Sequence, residues 1–426
     1  MELPKVGKID FGNFTTAKKV TAGILTLPVV ALFVALAVSY SVSAGTKIVE
    51  GVSYEGRELG GLLPGTTKEI LQKDADKKIH SITFTFENGE FEVTPADINW
   101  TPEIDEAARV AENYGRGKGL IKNFIEQTDC RMNGREVKLL ATFDEDLLKN
   151  KLDEIAAKIN RQPANAFCIL HPNGLIERYP GIVGKKLDTE KVVGSLKDKL
   201  ENLNLSAEKI ALEPENIEPF IKTEDLQNID SVIGSFSTAY YPGDRGDNIW
   251  IAANALCHKI IKPGWEFSFN TTVGHRDAAA GYKKAGVIID GEFTDDYGGG
   301  VCQVSSTLYN AVLLAGLTPT ERSPHYYPSS YIAPGRDATV ADDLLDFKFR
   351  NDLQHPVYLM AYATGSTLEV AILGTKADLN GTTVALEHAG SRLAPSLYRV
   401  YYKDGQVVKE EYLHTDSYHV NERTRD

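Results

Sequence analysis

The chain is poor in the features that disulfide scaffolds and nucleic-acid binders depend on. Four cysteines in 426 residues are too few for a fold held together by disulfide bonds. No run of lysine or arginine is longer than two residues, and 46 basic against 59 acidic side chains give a net charge of −13, which argues against nucleic acid as a partner. Because 42% of the residues are hydrophobic, the chain can build folded cores, and wholesale disorder is excluded.

Charge is also absent from one long segment near the N-terminus. Residues 20–46, VTAGILTLPVVALFVALAVSYSVSAGT, would reach about 40 Å as a helix, which is more than a bilayer core requires. Lys18 and Lys19 precede this segment, and the residues that follow it are slightly acidic. The positive-inside rule therefore predicts a cytoplasmic tail at 1–19, a single-pass transmembrane helix at 20–46 and an extracytoplasmic remainder in the cell envelope.

A cleaved signal peptide is the alternative interpretation of the same segment. Val42-Ser43-Ala44 resembles the small-residue site at which such peptides are cut. The apolar stretch is longer than the hydrophobic core of a usual signal peptide, which favours an uncleaved anchor. Both interpretations export the rest of the chain.

Residues 47–225 are predicted to form an α+β region. Hairpin, turn and helix recur along it, which suggests two similar blocks at about 47–135 and 136–225. Asn88-Gly89 and Asn173-Gly174 are typical hairpin turns. The apolar spacing predicts helices at 104–114, 144–159 and 190–203.

The composition changes after residue 230. Residues 231–365 are rich in glycine, aromatic residues and isolated polar residues, which is typical of a domain that carries a site. A helix is predicted at 248–261 with Asp247 as its N-cap. The C-terminal 376–426 is predicted as strands, with a hairpin turn at Asp404-Gly405. The predicted fold class is α+β, with a mixed α/β domain followed by a β-rich tail.

The densest chemical signal is DYGGGVCQVSSTLYNAVLLAGLTP, residues 296–319. Gly298, Gly299 and Gly300 precede Cys302, and the apolar spacing after them predicts a helix with Cys302 in or just before its first turn. Free N–H groups and the helix dipole favour a thiolate at that position. The three glycines would let a ligand approach the sulfur closely.

A thiolate nucleophile needs a base and a group that orients the base. His325 follows Cys302 by 23 residues, and Asp337 follows His325 by 12. A cysteine at a helix start, followed by histidine and aspartate on later strands, is the arrangement of papain-like and transglutaminase-like folds. Gln303 could donate to an oxyanion. The same residues also fit a cysteine packed under a loop and a hydrogen-bonded loop histidine.

A metal site is a further interpretation, with Cys302, His275, His325 and Asp337 as possible ligands. No CxxC, HxxxH or HxH spacing is present, so we predict neither a metal nor a cofactor.

Other residues near this run could bind substrate. Asn270 and Arg276 could face a cleft, and arginine side chains are suited to a substrate carboxylate. The predicted carboxylate-binding residues are Arg276, Arg322 and Arg336.

Several motifs resemble the VanW domain. They include Gly234-Ser235-Phe236-Ser237-Thr238, the run from Gly298 through Cys302-Gln303, and Gly335-Arg336-Asp337-Ala338. On this resemblance we assign a VanW domain to 230–375. Upstream, Gly51-Val52-Ser53-Tyr54 and the stretch from Pro180-Gly181 to Leu187-Asp188 resemble a peptidoglycan-binding module, which we assign to 47–225.

The resemblance implies a cell-envelope protein related to proteins encoded in vancomycin-resistance clusters, but it supplies no reaction. We predict a membrane-anchored protein whose partners are peptidoglycan or its precursors and the cell membrane. The alternative is a thiol-dependent peptidoglycan amidase, peptidase or acyl-transferase that uses Cys302, His325 and Asp337. Binding is favoured at this point, because the sequence does not show that these three residues act together.

Overall fold

The computed structural model describes residues 16–207, 209–289 and 292–420, and within them the side chains of 28–207, 209–287 and 294–420. The chain forms two compact units. The first contains residues up to 161 together with 185–216, and the second contains 162–184 together with the residues from 217 onward. Residues 162–184 therefore belong to the second unit, although the sequence places them with the N-terminal region.

The described residues combine helices with mostly antiparallel sheets, so the predicted α+β class is confirmed. The helices of the described residues are α1 Thr16–Ala44, α2 Pro64–Lys78, α3 Ile104–Asn113, α4 Leu120–Asn133, α5 Glu145–Ile159, α6 Thr189–Glu201, α7 Asp244–Leu256, α8 Phe269–Val273 and α9 Val301–Leu314. The strands are β1 Val52–Tyr54, β2 Arg57–Glu58, β3 Ile82–Phe86, β4 Gly89–Val93, β5 Thr101–Pro102, β6 Arg135–Glu136, β7 Ala141–Thr142, β8 Phe167–Leu170, β9 Ile176–Tyr179, β10 Gly184–Lys186, β11 Ile210–Ala211, β12 Glu215–Ile217, β13 Ser231–Ala239, β14 Lys259–Ile261, β15 Glu266–Ser268, β16 Lys284–Ile289, β17 Glu292–Tyr297, β18 Thr318–Glu321, β19 Lys348–Arg350, β20 Val357–Thr364, β21 Thr367–Gly374, β22 Thr383–Ser391, β23 Ala394–Lys403 and β24 Gln406–Thr415.

The first unit has one apolar core shared by its helices and short sheets. The hairpin β3–β4 pairs Ile82 with Val93 and Phe84 with Phe91. Its turn is Glu87-Asn88, one position before the predicted Asn88-Gly89, because Phe86 already pairs with Gly89. This register keeps Ile82, Phe84 and Val93 in the core, since side chains two residues apart share a face of the strand.

The segment predicted to span the membrane, residues 20–46, lies largely in α1. None of the helices in the described residues has both the length and the hydrophobicity needed to cross a membrane. Residues 1–15 of the predicted cytoplasmic tail lie outside the described residues. The end of α1 packs on α4, where Gln127 Nε2 and Asn123 Nδ2 donate to Ser43 Oγ at 2.9 and 3.2 Å.

The second unit is built on an antiparallel sheet of four strands in the order β13-β21-β20-β14. Helix α9 packs on β13 and β21, and its residues from Gln303 to Leu313 are all buried. Such a helix has no polar outer face, because neighbouring elements cover it on all sides. Helix α7 packs against both β20 and α9.

The helix predicted at 248–261 is shifted and shorter in the structure. Helix α7 starts four residues earlier at Asp244, with Gly243 rather than Asp247 at the N-cap. It ends before Cys257 because His258 adopts a left-handed backbone (φ 61°) and the chain then pairs with β20 as β14. Ile260 and Ile261 therefore contribute to the sheet rather than to a helix face.

The C-terminal tail forms the antiparallel sheet β22-β23-β24 within the second unit. The predicted hairpin turn at Asp404-Gly405 is confirmed, with both residues in the left-handed region. Arg399 of β23 donates to Leu317 O at 2.6 Å, just beyond the end of α9. This hydrogen bond connects the tail to the segment that follows α9, the helix that contains Cys302.

We expect Gly234→Ala to lower the free energy of unfolding of the second unit by about 1–3 kcal/mol, the usual cost of overpacking. A Cβ at Gly234 on β13 would lie 2.5 Å from Ala315 N and 2.6 Å from Ala311 O, so helix and sheet would have to separate. Urea denaturation measures the change. The control is Gly286→Ala, where a Cβ meets nothing within 4 Å. Equal stability of the two variants would contradict this packing.

Candidate active site

A glycine loop places Cys302 in the first turn of α9. Gly300 is the N-cap at φ 105°, and a Cβ there would lie 2.9 Å from Arg245 Cγ. A Cβ at Gly299 would lie 2.6 Å from Ala285 O. Asn248 closes the loop by donating to Gly299 O at 3.0 Å. Both glycines are needed for close packing with neighbouring chain segments, and Gly300 is also needed for its left-handed backbone conformation.

The Cys302 side chain is partly exposed and makes two polar contacts. Its Sγ donates to Val340 O at 3.3 Å, and it is hydrogen-bonded to His325. Burial alone would raise the pKa of the thiol, but the hydrogen bond and the charge of His325 outweigh burial and lower it. The site therefore favours a thiolate, which is the nucleophilic form of cysteine.

The ring of His325 lies between Cys302 and Asp337. His325 Nδ1 donates to Asp337 Oδ2 at 2.6 Å, and the same oxygen accepts the His325 backbone N–H at 2.7 Å. Burial alone would lower the pKa of His325, but the hydrogen bonds to Asp337 and Cys302 raise it to about 9. The sequence interpretation that Cys302, His325 and Asp337 lie together is thus matched by one hydrogen-bonded line of three side chains.

Asp337 is the buried end of this line, with a side chain only 1% exposed. Its other carboxylate oxygen accepts from Arg322 Nη2 at 3.1 Å and from the Tyr418 hydroxyl. Burial would raise the pKa of this carboxyl, but its contacts with His325, Arg322 and Tyr418 lower it. Asp337 is therefore ionised at neutral pH and can orient the imidazole.

A second carboxylate holds Arg322 in place. Arg322 Nη1 and Nη2 donate to the two oxygens of Asp416 at 2.5 and 2.7 Å, a bidentate ion pair. Tyr418 Oη, whose single hydrogen is donated to Asp337, lies 3.2 Å from Asp416 Oδ2. The β-rich tail thus supplies two residues that support Asp337, and neither was identified from the sequence.

The Gln303 side chain is hydrogen-bonded within the protein, and its predicted oxyanion role stays a prediction. Its side-chain Nε2 donates to Thr238 Oγ1 at 2.9 Å and to Ala239 O at 2.8 Å, so both amide hydrogens are used. Its Oε1 accepts from Arg245 Nη1 at 2.8 Å. Gln303 therefore positions Arg245, although the sequence suggested that it faces the substrate.

Two of the predicted carboxylate-binding arginines already have aspartate partners within the protein, so their contact with a substrate stays a prediction. Arg276 forms an ion pair with Asp342, and its Nη2 donates to Asn270 Oδ1 at 2.5 Å. Arg322 is held by Asp337 and Asp416, as described above.

Asn270 and Arg336 were also predicted to bind substrate, and both donate hydrogen bonds to backbone carbonyls of the protein. Asn270 Nδ2 donates to Ala341 O and Leu345 O, so its amide fastens a loop. Arg336 donates to Leu386 O at 3.0 Å and lies over the Phe236 ring. A substrate contact of Arg336 stays a prediction.

Arg245, which the sequence analysis missed, also lies at this site. Its guanidinium lies 5.8 Å from the centre of the Tyr331 ring and interacts electrostatically with Cys302. In the sequence Arg245 is one of several charged residues at the start of α7 and resembles a solvated surface arginine. Arg245 can be identified only from the folded structure, in which the loop that contains Gly300 packs against α7.

Within the described part of the chain, no three His, Cys, Asp or Glu side chains are grouped so as to hold a metal ion. His275 is 72% exposed and lies 3.7 Å from Asp342. All four cysteines are free thiols.

The geometry defines an α+β protein with a cysteine–histidine–aspartate site at the start of a buried helix. Comparison with known proteins agrees with the domain order. Residues 244–373 match the family described as "VanW like protein", and residues 91–206 match the family described as "Putative peptidoglycan binding domain".

Two curated relatives are similar to this chain. It is 34% identical over 245 residues to the uncharacterized protein YoaR of Bacillus subtilis (strain 168), a match that covers 57% of this chain and 78% of YoaR. It is 37% identical over 117 residues to the vancomycin B-type resistance protein VanW of Enterococcus faecalis (strain ATCC 700802 / V583), covering 26% of this chain and 42% of that protein. No solved structure matches. The chain belongs to the VanW family, with a peptidoglycan-binding domain preceding its VanW domain.

We expect His325→Ala to move the pH midpoint of Cys302 alkylation by iodoacetamide upward by one unit or more. The variant removes the hydrogen bond and the charge that lower the pKa of the thiol, while burial, which raises it, remains. Mass spectrometry of the Cys302 peptide across a pH series gives the midpoint. His388→Ala, at an exposed histidine of β22, is the control. A midpoint unchanged by His325→Ala would show that the ring does not activate the thiol.

Proposed function

We propose that this protein is a thiol-dependent enzyme of the cell envelope that hydrolyses or transfers acyl groups in the peptide part of peptidoglycan. The observation that carries the proposal is the hydrogen-bonded line from Cys302 through His325 to Asp337. A structural cysteine would need neither a charged imidazole nor a buried carboxylate behind that imidazole. This arrangement is the one that activates a nucleophile.

The residues support a reaction in two halves. In the first, the Cys302 thiolate attacks the amide carbonyl carbon and forms a C–S bond, and the C–N bond breaks as the His325 imidazolium gives its proton to the leaving amine. A thioester and a free amine result. In the second half, water or another amine attacks the thioester, His325 accepts its proton, and the C–S bond breaks to release the Cys302 thiolate. Water gives hydrolysis, and an amine gives acyl transfer.

The backbone at the start of α9 could stabilise the oxyanion of each tetrahedral intermediate. The N–H groups of Val301 and Gln303 donate to Gly298 O and Gly300 O. None of the backbone carbonyls in the described residues accepts from the Cys302 N–H. We propose this N–H as the oxyanion donor in place of the Gln303 amide, because it is aligned with the positive end of the helix dipole.

Peptidoglycan is the proposed substrate because the chain carries a peptidoglycan-binding domain. Its stem peptides supply amide carbonyls of the kind that a thiolate attacks. Binding without chemistry is the second candidate function, and the same domain supports it. We propose that any link to vancomycin resistance arises through stem-peptide chemistry, since one relative that shares the VanW domain is named for that resistance.

We also propose that the protein is anchored in the cell membrane with its N-terminus in the cytoplasm. The support is in the sequence, where residues 20–46 have no charge and follow Lys18 and Lys19. This location would deliver both units to the peptidoglycan.

We expect Cys302→Ala to reduce turnover of purified muropeptides at least about 10³-fold, because the variant has no nucleophile. Asp337→Asn should reduce it about 10²- to 10⁴-fold, since the carboxylate no longer orients a protonated imidazole. Products are measured by liquid chromatography with mass spectrometry.

The matched control is Cys257→Ala, at the other partly exposed cysteine of the second unit. Its turnover should equal that of the unchanged protein. If Cys302→Ala also retains full turnover, the thiol mechanism is wrong. Muropeptide binding without turnover in the unchanged protein would leave the binding function alone.

We expect an external protease to remove the part of the chain after residue 47 from intact protoplasts, since that part lies outside the membrane in our proposal. An antibody against an epitope placed at the C-terminus reports its loss, and a cytoplasmic protein serves as the control for lysis. Protection of the epitope in intact protoplasts, with loss after lysis, would contradict the proposed orientation.

A further inference from the structure

We infer that Arg245 binds a free carboxylate on the peptide substrate, beside the acyl group that Cys302 attacks. The inference rests on the proposed function for the identity of the substrate. Arg245 is then a specificity-determining residue, and the substrate is a peptide with a carboxylate near the scissile amide.

The position of Arg245 is fixed by the protein. Gln303 is held by Thr238 and Ala239, which aims its carbonyl oxygen at Arg245 Nη1 at 2.8 Å. The guanidinium also lies over the ring of Tyr331. A planar cation held at one edge and on one face is pre-organised, so binding a ligand costs little further side-chain entropy.

The charge of Arg245 is not neutralised by the protein. Across the described residues, no carboxylate lies within 4.0 Å of this guanidinium, whereas Arg276 and Arg322 each have an aspartate partner. Within the part of the chain that the structure describes, one of its five N–H donors is hydrogen-bonded, Nη1 to Gln303 Oε1. A half-buried, uncompensated cation is costly and attracts an anion into its site.

The surroundings of Arg245 connect this cation to the chemistry. Gly300, at the start of α9, leaves room for the arginine, because a Cβ there would lie 2.9 Å from Arg245 Cγ. Tyr331, under the guanidinium, also packs edge-on against His325, with ring centres 6.3 Å apart. An anion on Arg245 would therefore lie beside the thiol and the imidazole.

A carboxylate suits this cation better than other anions of the proposed substrate. The planar fork of a guanidinium matches a carboxylate with two parallel hydrogen bonds. Stem peptides contain free carboxylates, both at their C-termini and on γ-linked glutamate, and amidation removes the charge at either position. Selectivity between acid and amide forms is therefore the property that Arg245 should control.

A rival role for Arg245 is to stabilise the Cys302 thiolate directly. His325 already supplies a hydrogen bond and a positive charge to the sulfur. The two roles differ in what they change, because thiolate support would alter the alkylation midpoint while substrate binding would alter acid selectivity.

The experiment measures peptide affinity by isothermal titration calorimetry with the full chain carrying Cys302→Ala, which prevents turnover. Three synthetic stem pentapeptides are the probes: one with free carboxylates at both positions, one amidated at the C-terminus and one amidated on the γ-linked glutamate. We expect one amidation to weaken binding at least tenfold, and its position identifies the carboxylate that Arg245 binds. Adding Arg245→Gln should weaken the free-acid peptide equally and abolish the preference, while Arg245→Lys should retain part of it.

Arg392→Gln is the control, since Arg392 is an exposed arginine of the same unit. It should leave the acid preference intact. A preference that survives Arg245→Gln, or the absence of any preference before that change, would overturn the inference. The inference would also be overturned if Arg245→Gln raised the pH midpoint of Cys302 alkylation and left the acid selectivity unchanged. Failure of the proposed function is read separately, from muropeptide turnover that does not depend on Cys302.

Discussion

The buried carboxylate of Asp337 is the contact on which the active-site geometry depends. It accepts hydrogen bonds from the backbone and ring of His325, from Arg322 and from Tyr418. A carboxylate buried without such donors would be protonated or would destabilise the fold. Because the pKa of Asp337 is lowered in the folded state, its stabilising contribution is present above the ordinary carboxyl range and is lost as the pH falls through its own pKa.

This constraint explains why a β-rich tail follows the domain that carries the nucleophile. Asp416 and Tyr418 come from the tail. Arg322 joins Asp416 to Asp337 through two ion pairs, and the Tyr418 hydroxyl donates directly to Asp337. Burial would raise the pKa of Asp416, but its bonds to His414 and Arg322 lower it. The tail therefore holds the charge network in place, and the site would be incomplete without residues about 90 positions away in the sequence.

The sequence predicted the local parts of this site and missed the long-range ones. The apolar spacing after Gly300 identified α9 and placed Cys302 in its first turn, and the spacing to His325 and Asp337 permitted the triad. Nothing local to Gln303 shows that its amide faces Thr238, because that contact depends on how α9 packs on β13. Arg245 was missed for the same reason. The turn at Asp404-Gly405 was predicted from two adjacent residues, whereas the turn predicted at Asn88-Gly89 is displaced by one residue because Phe86 pairs with Gly89.

The shifted pKa values of Cys302 and His325 also determine the charge state of the site. Burial, taken alone, would raise the pKa of Cys302 and lower that of His325, which would give a neutral pair. Their mutual hydrogen bond and the carboxylate of Asp337 reverse both shifts. The thiolate is then present above a lowered thiol pKa, and the imidazolium persists up to about pH 9. Between these limits the thiolate and the imidazolium coexist, which is the charge state from which the proposed reaction starts.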